Sequence, residues 1–438
     1  MKQIIGIRYE DKYLMEKRVA LVPEHVKQLT DAGFKVEVVP SEKRIFKDEE
    51  YVKSGAVLKP EPLNASLILG VKEMPIDYFK EGNTYIFFSH TIKGQPYNMP
   101  LLQNMIDHKI NLIDYERIVD EQGRRLIFFG RFAGLAGMIN SLWSLGVRME
   151  KKGIETPFKK LKQTHNYNSL EEAKAVVREI GDEIRIKGLP SELTPLTIGI
   201  TGYGHVSKGA QEILELLPVR EISPEELTGI KKQKSKPGNF IYKVVFKEKD
   251  LVKRIENPDS FSLEEYYHHP DMYKGIFEQY IPHLKILMNC MYWDERYPRI
   301  ITKKFLKKAW DNSISIPEVI GDITCDPEGS VEITFKGTPI EDPVFVYNPE
   351  TGKHTMGFDG EGVLVMAVDI LPSELPRESS MAFSSALMPF LPQLATADFS
   401  VSFDNLEIPG PLKRGMILYH GAFTPDYTYM SEFITNKK

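Results

Sequence analysis

Two short stretches of this chain place a proton-exchanging side chain just beyond an apolar run. Gly70-Val71-Lys72-Glu73-Met74-Pro75 closes the run that starts at Leu67, and Phe87-Phe88-Ser89-His90-Thr91-Ile92-Lys93 closes the one that starts at Tyr85. If the two runs are neighbouring parallel strands, Lys72 and His90 emerge on the same sheet edge. A histidine titrates near neutrality, and burial or a neighbouring cation pulls a lysine down toward it, so the pair can supply and remove protons during a reduction. Taken singly, Lys72 reads as a surface lysine and His90 as readily as a structural histidine; the matched placement is what joins them. Nearby, Arg8, Arg18 and Arg124-Arg125 offer guanidinium groups, which grip carboxylates at two points, although Arg124 itself reads as a surface charge.

A second chemistry belongs to Thr197-Ile198-Gly199-Ile200-Thr201-Gly202-Tyr203-Gly204-His205-Val206-Ser207-Lys208-Gly209-Ala210-Gln211, which reads as strand, tight turn and helix. Gly202 permits the turn, Gly204 lets a pyrophosphate approach the backbone, and a helix starting near Val206 offers free amides and its positive dipole end. Tyr203, His205, Val206 and Ser207 complete this dinucleotide cradle. Ser207 stands where Gly or Ala is usual, so the fingerprint by itself is imperfect. A doubly wound domain places its next strand at residues 219–222, where Glu221 is the candidate to meet the adenosine ribose; Arg220 beside it leaves NAD against NADP open. Residues 284–288 form another apolar run, ending in Asn289-Cys290-Met291-Tyr292-Trp293, a candidate loop on the nicotinamide side. Residues 319–326 run from a strand into acidic and small residues, with Asp322 at the turn.

The elements that must position these groups follow from the patterning. Short apolar runs at residues 4–8, 35–39, 67–71, 85–89 and 111–114 alternate with helical signals at 24–32 and 99–108, which predicts parallel strands flanked by helices in an α/β domain over roughly 1–135. Residues 128–151 are glycine-rich and then helical. Gly130, Gly134 and Gly137 lie near one face, so this helix either bridges two domains or packs tightly in a core. The glycine turn then opens a second α/β domain. Within it, residues 223–280 are unusually polar and read as an insertion carrying a strand at 240–246, with a solvated basic loop at 231–239.

Bulk composition narrows the function classes. A chain of 438 residues with 42% hydrophobic content has room for two cored domains. With 56 basic against 61 acidic residues and a formal net charge of -5, no extended field exists for nucleic acid or an anionic membrane. Only Cys290 and Cys325 occur, which argues against a disulfide framework. No apolar run approaches the ~20 residues of a membrane span, and residues 1–10 lack a signal-peptide core, so a cytoplasmic protein is expected. His268-His269 and Asp294-Glu295 lack metal-ligand spacing to anything nearby, and no metal is expected.

The order of motifs resembles the lysine-ketoglutarate reductase part of aminoadipic semialdehyde synthases and, more distantly, lysine-forming saccharopine dehydrogenases and the alanine dehydrogenase family. The resemblance is carried by Glu16-Lys17-Arg18 with Leu21-Val22-Pro23, Leu69-Gly70-Val71-Lys72, Phe88-Ser89-His90-Thr91-Ile92-Lys93, Leu112-Ile113-Asp114-Tyr115-Glu116, and Phe129-Gly130 with Ala133-Gly134. It continues through the glycine turn, Tyr292-Trp293, Asp322-Ile323 with Gly329-Ser330, and Leu371-Pro372 with Leu375-Pro376. It implies two Rossmann-like doubly wound α/β domains with a cleft between them: a discontinuous substrate domain over 1–135 and about 375–438, and an NAD(P)-binding domain over 136–374.

The resemblance also implies reductive condensation of lysine and 2-oxoglutarate to saccharopine, or the reverse. Lys72 and His90 match the acid/base pair, and Arg18 and Lys93 match cations that hold substrate carboxylates, with Arg125 a further guanidinium candidate. Gly202, Gly204 and Ser207 match the nucleotide turn, and Ser207 is ordinary in the reductase branch. Arg131 departs from the expected pattern, so substrate preference is open there. NADP(H) is slightly favoured over NAD(H), the partners are a small amino acid and a keto acid, and a homo-oligomer is compatible. An alanine-type amino-acid dehydrogenase, or a ligand-binding homologue without turnover, are the alternatives.

Overall fold

The computed structural model describes residues 3–230 and 238–435. Most of the basic run expected to be a solvated loop, residues 231–237, lies outside the described residues. The chain divides into two compact units, Met1–Phe129 with Pro376–Lys438 and Gly130–Leu375.

Strands are numbered along the chain. In unit one, β1 (Ile5–Ile7), β2 (Val36–Val38), β3 (Val57–Leu58), β4 (Leu67–Leu69), β5 (Thr84–Phe87) and β6 (Asn111–Asp114) form the parallel order β3-β2-β1-β4-β5-β6. The tail adds two antiparallel strands at the β6 edge, β17 (Met416–Tyr419) and β18 (Ala422–Phe423). Nothing in the tail's composition announces this. Both faces of the sheet are covered, which is why its short strands are largely apolar. Ile5, Ile7, Leu67 and Leu69 pack on one side; Ile68, Tyr85, Phe87 and Leu112 pack on the other. The returning helix Pro376–Leu387 is tied to the first segment by Ser380 Oγ and Ser384 Oγ, which accept the N–H groups of Val19 and Val22 at 3.0 Å each. Its Phe383 stacks on Phe129 at 4.4 Å between centroids.

Unit two contains β7 (Thr197–Thr201), β8 (Val219–Glu221), β9 (Ile241–Phe246), the ribbon β10 (Val252–Arg254) with β11 (Tyr273–Gly275), β12 (Ile286–Asn289), β13 (Val319–Asp322), β14 (Val344–Tyr347), β15 (His354–Met356) and β16 (Val363–Met366). Its large sheet runs β15-β14-β16-β13-β12-β7-β9-β8. The strands from β16 to β8 are parallel, and β14 and β15 are antiparallel additions.

Two expectations change here. The polar section at 223–280 is not wholly an insertion, because β9 pairs with the full length of β7. Residues 219–222 do not supply the strand beside the glycine turn either; β8 lies one place further out, at the sheet edge. The reason is burial. Ile241–Phe246 is an apolar run that suits a central position, whereas Val219–Glu221 is short, charged and largely exposed, as edge strands are.

The glycine-rich helix Gly130–Lys151 belongs entirely to unit two. A Cβ on Gly134 would stand 1.9 Å from the Val206 carbonyl oxygen, and one on Gly209 would stand 2.0 Å from that of Arg131. The helix therefore crosses His205–Leu214 backbone against backbone, a contact that only glycine at both positions permits.

Candidate active site

In unit one the strand order reverses between β1 and β4, and ligands of open α/β sheets bind beyond the carboxyl ends of such strands. Glu10, Lys72 and His90 each stand three residues past the ends of β1, β4 and β5. The Glu10 carboxylate accepts the N–H of Val71 at 2.6 Å and of Lys72 at 2.8 Å, so it fixes the backbone that carries the lysine. His90 takes a left-handed backbone, φ +50°, and its carbonyl accepts from Asn98 Nδ2 at 2.9 Å. Its ring stacks near Phe88 with 15° between planes, and Nδ1 lies 2.7 Å from Glu73 Oε1. Toward an ionised carboxylate Nδ1 must carry the proton, which leaves Nε2 as the exchanging nitrogen of the neutral ring. Lys12 Nζ reaches the same Glu73 oxygen at 2.6 Å.

These groups bias one another's charge. Burial alone would raise the Glu73 carboxyl, but the His90 and Lys12 hydrogen bonds and charges prevail and hold it down to about 2. Burial and then the charge of Glu16 push Glu10 up to about 7, against its two backbone donors. For Lys72, burial first and the Arg18 guanidinium second lower the ammonium below the ordinary lysine value, while Glu16 and Glu73 resist. Lys72 Nζ lies 5.7 Å from the Tyr13 ring centroid. Arg18 is buried, donates from Nε and Nη2 to the two Glu16 oxygens at 2.8 and 2.6 Å, and stands 4.1 Å over the Phe129 ring. The cluster is a lysine made easier to deprotonate beside a histidine of fixed tautomer, set among cations.

Unit two builds a different site. Gly202, one residue past β7, has φ +82°, and its N–H donates to Phe246 O at 3.0 Å, clasping the ends of β7 and β9. A Cβ on Gly204 would meet nothing within 4 Å, so that backbone faces open space. The helix His205–Leu214 follows with Gly204 at its N-cap and no side-chain cap hydrogen bond, so the positive end of its dipole points at the turn and favours an anion there. The turn opens on a cavity of about 340 Å³ shared by Gly202, Tyr203, Glu248, Tyr267, Met291 and Tyr292. Bare backbone, a helix N-terminus and an aromatic-lined cavity fit a dinucleotide. Beneath it, Asn289 Nδ2 lies 2.8 Å from Asp322 Oδ1, Thr324 Oγ1 and Ser330 Oγ, and Thr334 Oγ1 donates to Asp322 Oδ2 at 2.6 Å. This buried network, in which burial raises the Asp322 carboxyl, fixes the ends of β12 and β13.

The structure thus brings Lys72, His90 and Arg18 together in unit one, and Gly202, Tyr203, Gly204 and Tyr292 around one cavity in unit two. His205 is exposed at the helix start, Val206 half-buried and Ser207 buried behind them. Other candidates stand elsewhere. Lys93 is exposed in the turn after His90. Arg125 is exposed and paired with Glu116. Arg131 makes a two-point bond to Glu212 at 2.9 and 2.8 Å on the helix–helix crossing, so the unexpected arginine braces packing. Glu221 pairs with Lys243 at 2.8 Å on the outer strand and does not line the cavity. Asp322 is consumed by its network, and the Trp293 indole N–H donates to Tyr297 O at 3.0 Å.

Sequence reasoning passed over Glu10, Lys12 and Glu73 around the lysine, and Glu248 and Tyr267 at the cavity. Glu10 had a readable signal, since it follows its strand at the same offset as Lys72 and His90. Glu248 had none until the strand order was known.

The architecture is that of a solved L-alanine dehydrogenase, with a TM-score of 0.64 at 17% identity over 98% of this chain and 99% of that one. The family model described as the alanine dehydrogenase/PNT N-terminal domain matches residues 6–136, and that of the C-terminal domain matches residues 274–425, together well over half of the chain. The chain belongs to the alanine dehydrogenase/PNT family. Among members of similar sequence, the alpha-aminoadipic semialdehyde synthase of Arabidopsis thaliana is 36% identical over 98% of this chain and 41% of its own length. The NAD(+)-dependent, L-lysine-forming saccharopine dehydrogenase of Emericella nidulans is 28% identical over 89% of this chain and 92% of its own. The chain spans under half the length of the semialdehyde synthases it matches. Among the described residues, no helix is long and apolar enough to cross a membrane.

Proposed function

We propose that this family member is a nicotinamide-dependent dehydrogenase of a secondary amine, forming or cleaving saccharopine from lysine and 2-oxoglutarate. The observation that carries the reading is the convergence of Lys72, Glu73 and His90 beyond neighbouring strands, with Lys72 held below its usual basicity. The similarity to saccharopine dehydrogenases and semialdehyde synthases supplies the substrate.

In the cleaving direction a nicotinamide held by unit two would supply the acceptor for the hydride of the amine-bearing carbon. Neutral Lys72 takes the N–H proton of the secondary amine as the C=N bond forms. Water then adds to the imine carbon. His90, through Nε2, removes one proton from that water while Lys72 returns its own to the nitrogen, which gives a carbinolamine and an imidazolium stabilised by Glu73. The imidazolium then gives its proton to the departing nitrogen as neutral Lys72 takes the hydroxyl proton and later releases it to solvent, so the C–N bond breaks to give amine and keto acid. The cations around Glu16 and Glu73, Arg18 and Lys12, favour a substrate rich in carboxylates. In unit two, Gly202, Gly204 and the first turn of His205–Leu214 hold the dinucleotide.

The test is the absorbance change of NADH and NADPH with lysine and a panel of keto acids. Consumption with 2-oxoglutarate and lysine is expected. Turnover only with another pair, such as ammonia and pyruvate, would overturn the substrate while keeping the reaction class.

A further inference from the structure

His90 keeps a backbone conformation that a residue with a side chain adopts only where its surroundings dictate it, with φ at +50° in the left-handed region. Close by, the reason is local. Ser89 donates from its N–H and its Oγ to Asp114, Thr91 Oγ1 lies 2.8 Å from Ser89 Oγ, and Asn98 Nδ2 holds the His90 carbonyl. The far end of the same turn, residues 92–94, is gripped from the other end of the chain. Tyr429 OH donates to the Ile92 carbonyl at 3.2 Å across 337 positions of sequence. The Phe433 ring approaches Gly94, itself at φ +64°, so closely that a Cβ there would stand 2.7 Å from it. The rings of Tyr429 and Phe433 meet edge to face at 5.9 Å between centroids, and Ile92 packs in one apolar cluster with Met430 and Phe433.

The segment that supplies these two rings has a firm base. Tyr427 and Met430 are buried, and the Tyr427 hydroxyl donates to Arg414 O at 2.7 Å and accepts from Arg117 Nε at 3.1 Å. Tyr429 is exposed and Phe433 only half-buried. Phe433 also borders a cavity of about 340–400 Å³, 390 Å³ in size, with Ile76, Met99 and Asn104 on its walls. Removing its ring therefore widens an existing space instead of opening one in a packed core. What the ring touches most closely is the turn. Residues from 426 onward lie past the end of the matched C-terminal family domain.

We infer that Tyr429 and Phe433 are positioning residues for His90: they fix the turn at residues 92–94, and through it the direction in which the imidazole presents Nε2. This rests on the reading of His90 as a proton carrier. The bond from Nδ1 to Glu73 sets a distance to one oxygen, and the backbone must set the rest of the ring's approach. Proton transfer needs that approach held closely, since a misplacement of about 1 Å caused far from the chemistry can cost on the order of a hundredfold in rate. The two rings act on the backbone from behind, without touching the acids and bases themselves.

The experiment measures kcat and NADH affinity of the full chain, well below its melting temperature, through a double-mutant cycle. Phe433→Ala should lower kcat about tenfold and leave NADH binding, read by nucleotide fluorescence, within about twofold. Phe433→Leu, which restores an apolar contact to the turn, should bring kcat back to within about threefold of the unmodified protein. His90→Asn removes the proton carrier yet suits a left-handed backbone; adding Phe433→Ala to it should lower kcat by less than about twofold further. Circular dichroism verifies that each variant is folded, and Tyr429→Phe, which loses only the bond to Ile92 and should lower kcat about threefold, replaces Phe433→Ala if that variant is not. Undiminished kcat in the folded variant would overturn the inference. So would losses that add in full on the His90→Asn background, because a side chain that only stabilises the fold does not act through His90. Undiminished kcat in His90→Asn itself, or no turnover by the unmodified protein with any pair of amino acid and keto acid, would overturn the proton-carrier reading and with it the inference.

Discussion

The two candidate sites are built from opposite materials. The site in unit one is a dense mesh of charge: Glu10, Lys12, Glu16, Arg18, Lys72, Glu73 and His90 come from three strand ends and set one another's protonation. The site in unit two is made of bare backbone, tyrosine rings and one carboxylate, above a buried polar network that carries no exposed charge. The first arrangement suits moving protons. The second suits holding a large, flat, phosphate-bearing ligand still. The contrast teaches that substitutions in unit one should alter rate and pH dependence, whereas those in unit two should alter affinity.

Lys72→Met is the sharpest way to break that contrast. Removing the amine should lower turnover by ~10²–10⁴-fold while leaving nucleotide affinity within about twofold. Steady-state rates and NADH titration measure the two quantities. A comparable loss in both would dissolve the division of labour between the units.

Glu73→Gln should cost less, because it removes support for a proton carrier and not the carrier itself. Loss of the anion that stabilises the imidazolium should lower turnover by ~10–100-fold while nucleotide affinity stays within about twofold. Undiminished turnover would mean that the hydrogen bond from His90 to Glu73 only braces the loop.

The glycines of unit two offer a comparison within one element. At Gly204 a side chain would enter open space, whereas at Gly209 it would meet the Arg131 carbonyl oxygen at 2.0 Å. Gly204→Val should therefore leave the melting temperature within a degree or two and weaken nucleotide binding about tenfold or more. Gly209→Val should instead destabilise the fold by several kcal/mol, since backbone, not a side-chain tip, must give way. Thermal melts and nucleotide titration separate the two outcomes.

These glycines also illustrate what could be read in advance. The alternation of strands and helices, the turn at Gly202 and the placement of Lys72 and His90 at equal offsets past neighbouring strands follow from local patterns, so they were legible. Arg131 and Glu221 misled because a charge beside a motif says nothing about its partner. Glu212 and Lys243 supply those partners from elsewhere in the chain. Glu248 was hidden because its place at the cavity depends on β9 displacing β8 beside β7, a choice made by the burial of an apolar run inside a polar stretch. The tail strands β17 and β18 were hidden likewise, since they join the sheet edge beside a strand some three hundred residues earlier.

The smallest expected effect is on stability, and it separates two carboxylates within unit one. Glu73 is held down to about 2, so in the folded state it binds fewer protons than the unfolded chain between that value and the ordinary carboxylate range. Its contribution is present above that range and is lost as pH falls toward 2. Glu10 is raised to about 7, so the folded state binds more protons than the unfolded chain between the ordinary range and 7. Its cost is absent in acid and grows as pH rises through that window, by on the order of 3–4 kcal/mol at most. Glu10→Gln should therefore flatten the decline in melting temperature between about pH 4.5 and 7, even though the amide loses one of the two backbone bonds and lowers stability at every pH. Melting curves at half-unit pH steps for this variant and the unmodified protein read the slope directly. Parallel slopes would show that Glu10 is ionised throughout that window, and its clamp on Val71 and Lys72 would then be a permanent charged one.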